Sequence, residues 1–173
     1  LPILVARLRD TGRSQKAGPP SSTPWSMAVA ATFVVTPPPL VLSELMFHPA
    51  PTDSAAYTED DFEFVELKNI TDHEVNLRGY HFIAGIEYAF NDSSSIKTLA
   101  PGGRVVLVSN LAAFQSRYPG VANVAGQFVG NLADSGERLA LAGPVEETIF
   151  DFTYGDHWFR LADGNGFSLV PLN

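Results

Sequence analysis

The sequence predicts an all-β fold, a sandwich or a barrel, and three observations carry that expectation. Short runs rich in Val, Leu, Ile and Phe recur along the chain, separated by turn residues roughly every ten positions. Within these runs Phe62/Phe64, Tyr88/Phe90 and Phe150/Phe152/Tyr154 recur at period two, which puts each set on one face of a strand. The clearest pair of runs, Leu40–Phe47 and Phe62–Asn69, is joined by a polar segment ending in Glu59, Asp60 and Asp61.

The elements follow in order. Pro2–Arg9 and Met27–Val35 read as two strands, with Leu4, Ala6 and Leu8 marking a buried face. Between them, Asp10–Ser26 is rich in Gly, Pro, Ser and Thr and reads as a long hairpin loop. Residues 36–39, Thr-Pro-Pro-Pro, form a stiff spacer and the domain boundary. From Leu40 onward the strands are Leu40–Phe47, Phe62–Asn69, Tyr80–Ala84, Ile86–Phe90, Arg104–Ser109, Leu139–Ala142 and Glu147–Tyr154, with a short last one at Phe167–Pro171. Turn chemistry lies between them, as at Arg78-Gly79, Ala100-Pro-Gly-Gly103 and Asp163-Gly-Asn-Gly166. Leu111–Tyr118 is the one helical stretch, capped by Asn110 and stopped by Pro119-Gly120.

Composition sets the bounds. A chain of 173 residues holds one full domain and part of another. The 45 % hydrophobic content supports a core without metal or cross-links. No apolar run approaches the roughly 20 residues of a membrane-spanning helix, so membrane insertion is not expected. The absence of cysteine excludes disulfides, thiolate metal sites and cysteine nucleophiles. Leu1 is not followed by a basic-then-apolar leader, so any export signal is expected upstream.

Charge is unevenly placed. Residues 1–39 carry Arg7, Arg9, Arg13 and Lys16 against Asp10, while the rest of the chain is net −11, giving −8 in total. Such a surface repels phosphate backbones, so free nucleic acid is not an expected partner.

Several segments then resemble the lamin-tail domain family of bacterial type. Leu42-Ser-Glu-Leu-Met-Phe-His-Pro49 is similar to its opening, and Glu63-Phe-Val-Glu-Leu-Lys-Asn69 to its next strand. Val75-Asn-Leu-Arg-Gly-Tyr80 resembles a Val-Asp-Leu-Ser-Gly-Trp element with tyrosine for tryptophan, and Leu99-Ala-Pro-Gly-Gly103 a pre-strand turn. Gly130–Leu139, Asp151–Tyr154 and Asp163–Leu169 complete the series. The resemblance spans residues 40–173 and implies an immunoglobulin-like β-sandwich that binds or tethers and has no catalytic residue. It also implies a context: a secreted or cell-surface multidomain bacterial protein, where the module serves adhesion or spacing. Residues 1–35 resemble the C-terminal strands of a fibronectin- or chitobiase-C-terminal-like domain through Val5-Ala6-Arg7, Trp25-Ser26 and Ala31-Thr32-Phe33. This two-stranded remnant is marginal alone, and is expected to pack on the same domain or on another copy of the chain. Small-angle scattering that shows a compact monomer with a mobile 1–35 tail rejects that expectation.

Candidate chemistry is sparse. Glu44 and Glu66 lie in adjacent apolar strands, where paired carboxylates could act as acid and base; scaffold hydrogen bonding is the competing reading. Asp60 and Asp61, with Asp163 and Asn165 in a Gly-flanked loop similar to part of a calcium loop, are candidate cation ligands, against a reading as solvated surface and turn. No other cofactor is expected. His48, His73, His81 and His157 show no zinc-ligand spacing, and G-x-S-x-G and phosphate-loop signatures are absent. The period-two aromatics read as core rather than as a stacking platform. Trp158, Phe159 and Arg160, in a loop bounded by Gly and Asp, are the candidate binding residues, for a protein or cell-surface component or alternatively a carbohydrate. Asn69-Ile-Thr71 and Asn91-Asp-Ser93 are formal glycosylation sequons.

Overall fold

A computed structural model describes residues 3–6, 29–32, 37–53 and 55–171, the first two stretches as backbone strands only. The chain divides into two units, Leu1–Pro37 and Pro38–Asn173. In the first, β1 (Ile3–Ala6) and β2 (Val29–Thr32) pair antiparallel from Ile3 opposite Thr32 to Ala6 opposite Val29. Arg7, Arg9, Arg13, Lys16, Trp25, Ser26 and Phe33 lie outside the described residues.

The second unit is a β-sandwich. One sheet has the order β3 (Leu40–Met46), β4 (Phe64–Asn69), β8 (Arg104–Val108), β9 (Val124–Gln127). The facing sheet has the order β11 (Thr148–Thr153), β10 (Arg138–Ala142), β6 (His81–Ala84). A small ribbon of β5 (Val75–Asn76) and β7 (Thr98–Leu99) closes one end. Pairing is antiparallel except between β8 and β9. Parallel neighbours need a crossover, and α1 (Leu111–Arg117) supplies it. Asn110 caps that helix as expected, its side-chain oxygen accepting from the amides of Ala112 and Ala113 at 3.0 and 3.2 Å.

Alternation along β4 and β8 explains the two-sided burial of the larger sheet. Val65, Leu67, Val105 and Leu107 face the other sheet and pack with Leu139, Leu141 and Phe82. Phe64, Val106 and Val108 face outward and are covered by Phe114 of α1. β8 therefore reads as an unbroken apolar run, because helix and sheet take one face each.

The structure also departs from the sequence reading. Ile86–Phe90 is not a strand: Gly85, at φ +91°, turns the chain, and this segment makes only isolated bridges, Ala89 to His81 and Glu87 to Val129. Phe167–Pro171 contributes a single bridge, Leu169 to Leu45. Phe62 belongs to the short 3-10 turn Asp60–Phe62, where the Arg117 guanidinium lies 3.5 Å from its ring centre. Strands β5, β7 and β9 had no counterpart in the sequence reading. No helix among the described residues is long and apolar enough to cross a membrane.

Candidate functional site

Two features of the sandwich carry chemistry, an apolar groove at one edge and a buried carboxylate at another place. The groove arises because β3 and β11 are edge strands of their respective sheets, leaving one side of the sandwich open. Its walls are Leu42 and Leu45 of β3, Phe150 and Phe152 of β11, Trp158 and Phe159, and Ser168–Pro171, around about 920 Å³. Ser168 alone among these is polar, and its hydroxyl donates to Glu44.

Rings step outward from the core to the lip of this groove. Phe82 meets Phe150 at 6.2 Å, Phe150 meets Phe152 at 5.8 Å, and Phe152 stacks on Trp158 at 6.1 Å and 26°. Phe64, Phe90 and Tyr154 are buried as the core reading expects, but Phe150 and Phe152 are half-buried and line the groove. The β11 rings fall at the open edge, across the groove from Leu42 and Leu45 of β3. Trp158 and Phe159 keep 53 % and 48 % of their surface exposed, and Leu161, Phe167 and Val170 are exposed too. Arg160 is exposed and lies outside the groove lining, its carbonyl closing the turn to Asp163 and Asn165.

Glu44 and Glu66 lie on adjacent strands as expected, and are cross-strand register partners. Their oxygens, however, are engaged by scaffold groups. Glu66 Oε1 accepts from Arg104 at 2.6 Å and from the Ser43 hydroxyl at 2.7 Å, and Glu44 accepts from Ser168.

The expected acidic ligands do not converge as a group. Asp61 accepts from the Thr58 amide at 2.8 Å and from the Asn110 side chain at 3.0 Å. The Thr58 amide chiefly holds its carboxyl below the usual range. Asp163 accepts from His48 Nδ1 at 2.7 Å, and the Asn165 amide donates to the carbonyl of Asp163; these bonds build the turn. Asp60 instead meets two residues that the sequence reading did not single out as ligands. One carboxylate oxygen each from Asp60, Glu63 and Asp134 lies within 4.8 Å of the others.

Local sequence explains that meeting. Glu63 follows the 3-10 turn and is fully buried, with Oε2 accepting the Leu132 amide at 2.9 Å. Asp134 sits in a loop held by three further contacts. Ala133 donates its amide to Glu137 at 2.9 Å, and Tyr154 donates its hydroxyl to the Ala133 carbonyl at 3.0 Å. Gly136, at φ +100°, packs so tightly that a Cβ would stand 2.3 Å from the Tyr154 carbonyl oxygen. Burial, and next the Glu137 charge, push the Tyr154 hydroxyl far up, so it stays protonated as a donor. Glu63 Oε1 is buried without a hydrogen-bond partner. Burial is the main force raising the Glu63 carboxyl to about 8; the Leu132 amide opposes it, and Asp60, Asp134 and Glu137 add to it.

The two sequons differ in their environment. Asn69 is fully buried with its side chain bonded on both ends, whereas Asn91 is exposed.

In comparison with known proteins, a family model described as Lamin Tail Domain matches residues 35–156. No curated protein and no solved structure matches this chain.

Proposed function

The chain belongs to the lamin tail domain family, a family of immunoglobulin-like, non-catalytic modules, and we propose that this member tethers a partner protein through the edge groove. Its setting is a secreted or cell-surface multidomain bacterial protein, in which it holds and spaces neighbouring domains. The observation that carries this reading is the groove: about 920 Å³, apolar apart from Ser168, and flanked by two edge strands.

The occupant is an extended segment with apolar side chains. Leu45 already exchanges both backbone hydrogen bonds with Leu169, at 2.9 and 2.8 Å. This is strand addition begun and stopped after one bridge, and an incoming extended peptide continues it. Trp158 and Phe159 then serve as anchors at the lip. The carbohydrate alternative is less well supported, because sugars need several hydrogen-bonding groups and Ser168 is already bonded to Glu44. A hydrolase using Glu44 and Glu66 has little support either, since Arg104, Ser43 and Ser168 engage both carboxylates.

A panel of ten-residue peptides alternating apolar and polar residues, run beside a glycan array, tests the reading. Peptide binding in the micromolar range is expected, weakened at least about tenfold, roughly 1.4 kcal/mol, in Trp158→Ala. Glycan binding lost in Trp158→Ala, with no peptide bound, establishes the carbohydrate reading instead.

A further inference from the structure

We infer that Asp60, Glu63 and Asp134 form a binding site for a divalent cation of the calcium class, joining the 59–63 turn to the loop before β10. Two independent observations carry it. Their carboxylate oxygens converge within 4.8 Å of one another. Separately, Glu63 is wholly buried and its Oε1 has no hydrogen-bond partner. Buried polar atoms in folded proteins are almost always satisfied, and a lone exception points to a bound ion or water. A cation that displaces the Glu63 proton satisfies that oxygen directly, since an ionised carboxylate has only acceptor capacity.

Donor chemistry and spacing select the ion. Three carboxylates are hard oxygen donors, which suit calcium, magnesium or manganese rather than zinc or copper. Oxygens on opposite sides of calcium stand about 5 Å apart, twice a contact of about 2.4 Å, whereas around magnesium the figure is about 4 Å. All three oxygens lie within that calcium span, and calcium's flexible coordination accepts them without the near-octahedral fit and the dehydration that magnesium demands. Three negative charges around a doubly charged ion leave a small residual charge. The remaining coordination comes from water, because Asp60 and Asp134 are exposed; the same exposure gives the ion its path in. Asp134 is only loosely held elsewhere, 3.8 Å from His48 Nε2, and is free to turn toward an ion. The site differs from the calcium-loop-like turn Asp163–Gly166, whose carboxylate and amide are committed to His48, Arg160 and Asp163.

The test is calorimetric titration of the full chain, freed of metal with chelator, with calcium chloride and in parallel with magnesium chloride. Thermal melts accompany both titrations. One calcium ion is expected per chain, binding at least about fivefold tighter than magnesium, and saturating calcium raises the melting temperature by about 4 °C or more. Asp134→Asn and Asp60→Asn alter exposed residues; each is expected to weaken calcium at least about tenfold while the metal-free domain melts near the parent temperature. Glu63→Gln abolishes the calcium-induced rise, and its circular dichroism checks that the fold is kept. Glu74→Gln removes an exposed charge outside the cluster and leaves the affinity unchanged. No heat and no melting shift with the parent chain overturns the proposal. So does a loss in Glu74→Gln equal to that in Asp134→Asn, which marks diffuse charge attraction rather than a site.

Discussion

Replacing Asn69 with alanine is expected to lower domain stability by about 3 kcal/mol and the melting temperature by about 10 °C. Asn69 closes β4 and is fully buried. Its side-chain nitrogen donates to the carbonyls of His73 and Leu99 at 2.8 Å and of Ala100 at 3.1 Å. Its oxygen accepts from the amide and hydroxyl of Thr71, both at 2.8 Å. One side chain thus ties the end of β4 to its own turn and to the 99–103 turn that starts β8. Alanine removes every one of these bonds and leaves buried carbonyls without a partner, each a penalty of about 1–3 kcal/mol. Some relief exists, since the Ala100 carbonyl also accepts from the Gly103 amide and the His73 carbonyl from the Thr71 hydroxyl; the expected total is therefore nearer the upper cost of one orphaned group, the Leu99 carbonyl, than of three. Asn69→Asp should be worse than alanine, because a carboxylate cannot donate and would bring negative charge against three carbonyl oxygens. Urea unfolding followed by circular dichroism measures both. If both variants stay within about 1 kcal/mol of the parent, the lock assigned to Asn69 is wrong. The same burial makes the Asn69 sequon unusable in the folded domain.

The contrast between Asn69 and the groove shows what the sequence made legible. Leu40–Met46, Phe64–Asn69 and Arg104–Val108 declare themselves as strands because branched and aromatic residues alternate between turn signals within a few residues of each other. All the information is local. The Asn110 cap and the Pro119-Gly120 stop are local too, and α1 ends one residue earlier than expected. Val124–Gln127 escapes because its Val-Ala-Gly-Gln sequence has no strong alternation. It becomes a strand only when α1 returns the chain beside β8. The opposite error occurs at Ile86–Phe90, whose period-two pattern is genuine, with Ile86 and Phe90 buried in the core. There the pattern reports burial, while the Gly85 turn decides that a continuous ladder does not form.

The sites follow the same logic. Trp158-Phe159 stands out as an aromatic pair in a turn-rich loop, but the groove it borders draws its walls from two edge strands and the 168–171 segment, which no local window joins. Glu63 hides for a different reason. Placed between Phe62 and Phe64 at the end of an acidic run, it has the pattern of an outward-facing residue. The 3-10 turn at Asp60–Phe62 rotates it inward. Its partner Asp134 lies within the Gly130–Leu139 segment, where the sequence shows a resemblance to the family but not what the segment faces.

That inward rotation gives the domain an unusual pH response. In metal-free protein, stability is expected to fall as pH rises from about 5.5 to 9. The cause is the Glu63 carboxyl, raised from 4.5 to about 8, chiefly by burial. Between those two values the folded chain holds a proton that the unfolded chain has released, so raising the pH favours unfolding. The stabilising contribution is fully present below the unfolded value and is lost as pH climbs through about 8. A shift of this size corresponds to a few kcal/mol. Asp61, Asp72 and Asp151 act with the opposite sign, since their lowered carboxyls stabilise the fold above the unfolded value of 3.8 and lose that effect as acid is added. They titrate below this window and leave the slope to Glu63. Glu63→Gln keeps an oxygen for the Leu132 amide and cannot ionise. It is expected to flatten the profile and to exceed the parent at pH 9 by about 2–4 kcal/mol, with little difference at pH 5.5. Urea midpoints with chelator at pH 5.5, 7 and 9 decide the matter. A parent profile that stays level, or climbs toward pH 9, would show that Glu63 ionises freely in the fold and that its burial carries no charge penalty.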